Sequence, residues 1–185
     1  MAQTYIPANI DPTKISIIMI SEALPENMDD YFYASGHSLY VTNTIAAFNH
    51  AGIEVNNIDD IVKKGVYLTT AVKATRQGLV IPAEVIREHS YLLEEELNMF
   101  PHIKVIVLMG DAAIKALNYI SQRVTQTKTI PSGSTYKIRS GLFCFKNIRV
   151  FPSYLQTGKN FLIEKAKRIM VAEDIRNAFS LLETE

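Results

Sequence analysis

Ile15-Ser16-Ile17-Ile18-Met19-Ile20-Ser21-Glu22-Ala23-Leu24-Pro25 decides the reading of this chain. Residues 15–20 are a near-continuous β-branched and apolar run, the pattern of a strand buried on both faces of a parallel sheet. The run stops at a carboxylate and a turn, which puts Glu22 at the carboxyl end of a strand. In open α/β sheets that rim is where ligands bind, because the helices that follow the strands leave a crevice there. Two readings of Glu22 stay open at this point: a functional carboxylate, or a group that only caps the turn or the next helix.

Working outward, residues 66–70, 103–109 and 148–151 repeat the short apolar pattern, and segments with helical periodicity lie between these runs. Residues 38–51 form the first, residues 82–98 the second, with Pro82 suited to a first turn, and residues 111–119 the third. Residues 160–182 are long and amphipathic, with Ile163, Ala166, Ile169, Met170, Ile175, Ala178, Phe179 and Leu182 recurring at three and four. A strand-helix series of this kind predicts a single α/β domain over residues 1–185. Its architecture is a three-layer α/β/α sandwich around a four-stranded parallel sheet. Residues 135–145 depart from the scheme and predict a hairpin of two short strands around Ser140-Gly141.

Composition narrows the class. With 185 residues and 48% hydrophobic content, the chain can bury a full core without disulfides or metal. Nineteen basic and 19 acidic residues cancel, so a nucleic-acid contact would have to use a local basic patch. The lone Cys144, in Leu142-Phe143-Cys144-Phe145, is expected to be a buried small hydrophobe, and one cysteine holds neither an iron-sulfur cluster nor a zinc site. No run is long enough for a membrane span and no signal peptide is evident, so a cytoplasmic location is expected. Gly110-Asp111-Ala112-Ala113 lacks the glycines of a dinucleotide fingerprint or a P-loop. None of His37, His50, His89 and His102 falls at a predicted strand end, and Glu94-Glu95-Glu96 reads as a solvated helix face. No metal site and no cofactor are expected.

Four strand ends carry a family resemblance. Ser21-Glu22-Ala23-Leu24-Pro25 is similar to the G-E-A-P-G loop of the uracil-DNA glycosylase superfamily, and Leu68-Thr69-Thr70-Ala71-Val72-Lys73 to its T-N-V-V-K segment. Residues 107–117, from Val107-Leu108-Met109-Gly110 to Ala116-Leu117, resemble its A-L-G-x-x-A-x-x-x-L stretch. Phe151-Pro152-Ser153-Tyr154-Leu155 resembles its H-P-S-Y-L loop, so the four motifs follow in order over nearly the whole chain.

The resemblance implies chemistry on a base extruded from DNA. Glu22 would position a water against the sugar carbon as the glycosidic bond breaks, through an oxocarbenium-like state. The family's base-reading asparagine is replaced by Thr70, and the histidine that stabilises the departing base by Phe151. Threonine offers one hydroxyl where an amide offers donor and acceptor, and phenylalanine donates nothing to an anion. A missing preorganised donor costs on the order of 100 to 1000-fold in rate. By the same resemblance Phe32 would stack on the base, with Thr70 and Phe151 beside it. Tyr154 and Leu155 would form the minor-groove wedge, Ser153 would bind a phosphate, and Lys159, Lys73, Arg76, Lys165 and Arg168 would be backbone contacts. The expected partner is DNA, single-stranded or damaged, or a nucleobase ligand, with no membrane. Three functions follow: a base-excision glycosylase with altered base preference, a non-catalytic nucleobase, nucleotide or nucleic-acid binder of the same fold, and an unrelated Rossmann-like small-molecule binder.

Overall fold

The computed structural model describes residues 6–34 and 36–184. Among the described residues five strands, β1 (Ile17–Leu24), β2 (Val66–Thr75), β3 (Val105–Met109), β4 (Phe143–Phe145) and β5 (Ile148–Ser153), form one sheet in the order β2-β1-β3-β5-β4. The first three and β5 run parallel, in the registers Ile17↔Val66, Ile17↔Val105 and Val105↔Arg149. The sheet is therefore α/β and mostly parallel, as the apolar runs predict, but it has five strands where four were expected. The added strand, β4, is antiparallel to β5 and closes one edge. Its hairpin turns at Lys146-Asn147, with Lys146 at φ 54°, and not at Ser140-Gly141. Residues Thr135–Ile138, expected as a strand, form a single helical turn, α5.

The remaining helices are α1 (Leu39–His50), α2 (Ile58–Lys63), α3 (Ala83–Leu97), α4 (Asp111–Thr125) and α6 (Lys165–Glu183). Their starts follow from local chemistry. The Ser38 hydroxyl accepts from the Val41 amide at the head of α1, and the Asn57 side chain accepts from Asp60 at the head of α2, with Asp59 and Asp60 in its first turn. Helix α2 lies in a stretch too short for periodicity to reveal. The predicted start of the last helix, residue 160, moves to Lys165. Residues 160–164 instead form a turn in which Ile163 and Glu164 amides donate to the Asn160 carbonyl while Phe161 is buried.

Alternate side chains of each strand feed two cores. Ile18, Ile20, Tyr67, Ile106 and Leu108 pack under α3 and α4. Ile17, Met19, Val66, Leu68, Val105 and Val107 pack on the other face under α1, α2 and α6. With both faces covered by helices, the open part of the sheet is its rim.

Two polar expectations are overturned inside these layers. Glu96 is not on a solvated face: it lies on the same stripe as Leu93 and Leu97, and its carboxylate accepts from Tyr67 Oη, Thr69 Oγ1 and Lys73 Nζ. Lys73, expected to face a phosphate, has a side chain only 1% exposed and forms a buried ion pair with Glu96. Its backbone amide donates to Nδ1 of His89, which is half-buried. Cys144 is exposed because it is the outward residue of the edge strand β4. Among the described residues no helix is long and apolar enough to cross a membrane.

Candidate functional site

Strands β3 and β5 end together, with Leu108 paired to Pro152, and the pairing of β1 with β3 stops at Ile20–Leu108, although β1 runs on to Leu24 beside β2, so Glu22 lies inside the strand and not, as expected, just past its end. At this carboxyl rim opens a cleft of about 580 Å³, and Glu22 and Gly110 lie in its floor. One wall is the segment after β5, with Tyr154, Leu155 and Lys159; the other is the turn before and within α5, with Ser134, Thr135 and Tyr136. Asn160, Glu164 and Lys167 close the end nearest α6.

Glu22 is held by the sequence around it. Gly110, at φ 107°, is the residue before α4, and a Cβ there would lie 2.7 Å from Glu22 Oε1, so only glycine admits the carboxylate. Oε1 accepts from the Ala112 amide at the start of α4, at 3.3 Å. The second oxygen is 3.6 Å from Arg76 Nη1, a loose pair with an Arg side chain 41% exposed. At 16% exposure, the Glu22 side chain is partly open to the cleft. Arg76, foreseen as a backbone contact, thus sits beside the carboxylate.

Tyr40 also belongs to this neighbourhood, and nothing in its sequence setting announced it. Its hydroxyl donates to the Ala23 carbonyl at 2.6 Å. Burial pushes the phenol up to about 12, and the nearby Glu22 charge adds to the shift.

The predicted site residues divide into two groups. Glu22, Tyr154, Leu155 and Lys159 line the cleft. Thr70, Phe151 and Phe32 do not. Thr70 is fully buried and its hydroxyl donates to the Val72 carbonyl. Phe151 points into the core shared with α6, with the Arg149 guanidinium 4.5 Å from its ring centre. Phe32 is buried against Tyr31 and Tyr40, with ring centres 5.2 and 5.3 Å apart. Ser153 reaches the cleft wall but has no exposed surface, and its hydroxyl donates to Asp174 Oδ2 at 2.6 Å. Asp174 is raised by burial, against which the Ser153 hydroxyl and Arg139 act; Arg139 Nη2 lies 2.9 Å from Oδ1. The tyrosines that line the cleft with Glu22 are Tyr136 and Tyr154, and Phe32 is not among the lining residues.

Among the described residues, no three His, Cys, Asp or Glu side chains are grouped as metal ligands. Comparison of the chain with protein-family models and with curated proteins finds no match.

Proposed function

We propose that the protein hydrolyses the N-glycosidic bond of a flipped base, as a base-excision glycosylase with altered base preference. The observation that carries this reading is Glu22, a partly open carboxylate fixed by the Ala112 amide in a cleft large enough for a base and its sugar. A water bound to the free side of the carboxylate would attack the sugar carbon as positive charge develops there, with Glu22 orienting it and stabilising that charge. The departing base carries negative charge, and Lys159 in the cleft lining would supply the opposite sign in place of the absent imidazole, whereas Lys167 is paired with Glu164 at 3.2 Å. Base reading would pass from the missing asparagine to Asn160, whose amide offers both donor and acceptor, and to the hydroxyls of Ser134 and Thr135. Tyr136, 70% exposed, provides a face for stacking.

The position of Thr70 and Phe151 outside the cleft favours a second reading, in which the cleft binds a nucleobase or nucleotide without cleaving it. A single-turnover assay on single- and double-stranded oligonucleotides carrying uracil, hypoxanthine, xanthine or oxidised pyrimidines separates the two. Cleavage of one of these, lost in Glu22→Gln at an unchanged melting temperature, is the expected result. Binding of the same oligonucleotides with no abasic product would leave the second reading standing, and an active Glu22→Gln protein would make the carboxylate structural.

A further inference from the structure

On the other side of α6 from the cleft, a groove of about 310 Å³ runs between the end of α1 and the first three turns of α6. Lys165, Arg168 and Arg176 line it, one to two turns apart on one helix face, with His50 opposite. Their charge is not cancelled locally. The single acid in the groove, Glu173, already accepts from Arg139 at 2.9 Å. Arg176 is anchored through neutral partners only, the carbonyls of Ala51 and His50 at the end of α1. Arg168 Nε is buried and has no hydrogen-bond partner among the described residues. In a chain with equal numbers of acidic and basic residues, three cations around one groove with one unused buried donor make a local excess of positive charge.

Geometry ties this groove to the cleft. The same first turns of α6 wall both, with Glu164 and Lys167 on the cleft side and Lys165 and Arg168 on the groove side. In the turn before the helix, which supplies Asn160, Phe161 and Glu164 to the cleft, Leu162 and Ile163 stand 43% and 78% exposed. An exposed aliphatic pair flanked by cations suits a strand whose bases meet the apolar residues and whose phosphates meet the lysines and arginines.

We infer that the groove between α1 and α6 is a backbone-phosphate site, and that a nucleic-acid strand entering the cleft continues across Leu162 and Ile163 into it. The choice of partner rests on the nucleic-acid reading of the cleft, though not on catalysis. Phosphate contacts reveal themselves by counterion release, each worth about 0.7 in the slope of log K against log salt for a single strand. The test is fluorescence anisotropy of a labelled, lesion-free single-stranded 12-mer over a range of KCl concentrations.

Lys165→Gln/Arg168→Gln should flatten the slope by roughly 1.4, two contacts' worth. Lys128→Gln, remote from the groove in sequence and exposed, should leave it unchanged. An unchanged slope in the double variant, with its circular dichroism intact, overturns the inference. So does binding of inorganic phosphate or of phosphatidylserine vesicles without binding of the 12-mer. A flattened slope in a protein that cleaves none of the modified oligonucleotides supports the phosphate site and defeats only the catalytic reading.

Discussion

Replacing Lys73 by methionine removes one half of a buried ion pair and leaves the other half in place. Glu96 and Lys73 have side chains 3% and 1% exposed, so neither charge has water to fall back on. Burial lowers the Lys73 pKa, and the adjacent carboxylate opposes that shift. In Lys73→Met the Glu96 carboxylate keeps only the hydroxyls of Tyr67 and Thr69 as donors. Orphaning one member of a buried pair costs about 3–5 kcal/mol. For a chain of this size that is a fall in melting temperature of roughly 6–20 °C, at about 2–4 °C per kcal/mol. Glu96→Gln added to Lys73→Met removes the uncompensated charge while its amide oxygen still accepts from both hydroxyls. The double variant should then be more stable than additivity predicts, by about 2 kcal/mol, within the range for contacting residues. Urea unfolding followed by circular dichroism on the four proteins measures this coupling. A single Lys73→Met costing under about 1 kcal/mol, or strictly additive energies, would refute the buried-pair argument.

Two further outcomes are expected. Gly110→Ala puts a methyl 2.7 Å from Glu22 Oε1 at a backbone φ of 107°, so it should displace the carboxylate, abolish any Glu22-dependent activity and lower stability by about 1–3 kcal/mol; a variant with wild-type activity and stability would disprove the steric account. His89 is lowered by burial, with Lys73 acting in the same direction and Glu88 against it, and its Nδ1 accepts from a backbone amide only when unprotonated. The unfolded chain therefore binds the proton more readily near and below pH 6.5, so stability should rise with pH through that region and be lost as pH falls through the folded-state pKa. Unfolding free energies between pH 5 and 7.5 should show a shallower acid loss in His89→Gln than in the wild type; parallel curves would assign the loss to other groups.

The parallel strands were legible because burial on both faces leaves no room for polar alternation, and residues 15–20 and 103–109 say so without help from context. The rim location of Glu22 followed from the same pattern. The contents of the cleft were much less legible. Phe32, Thr70 and Phe151 were placed by motif position, and whether a side chain at a strand end turns toward the rim or into a layer depends on its register and on what packs beneath it. Phe151 shares the face of Val105 and Val107 with α6, which takes it into the core. Lys73 and Glu96 misled for a related reason: each looks solvated alone, and only the packing of α3 on β2 brings the two together. A signal did exist, since Glu96 stands three residues after Leu93 and one before Leu97, on the apolar stripe of the helix. The edge strand β4 lies in the second run of the hairpin expected over residues 135–145, but its partner was not legible: the first run folds as α5, and β4 pairs with β5.

The place of β1 in the sheet has a consequence for synthesis of the chain. Although first in sequence, β1 lies inside the sheet, between β2 and β3, and its neighbours begin only at Val66 and Val105. As the polypeptide leaves the ribosome, Ile17-Ile18-Met19-Ile20 must wait without either neighbour until much of the chain has been made. It is a short, uncharged, β-branched stretch of the kind that pairs with the wrong partner when left exposed. Nascent chains ending before Val66 would carry this segment bare, and the demand for chaperone protection should fall as β2 and then β3 emerge to enclose it.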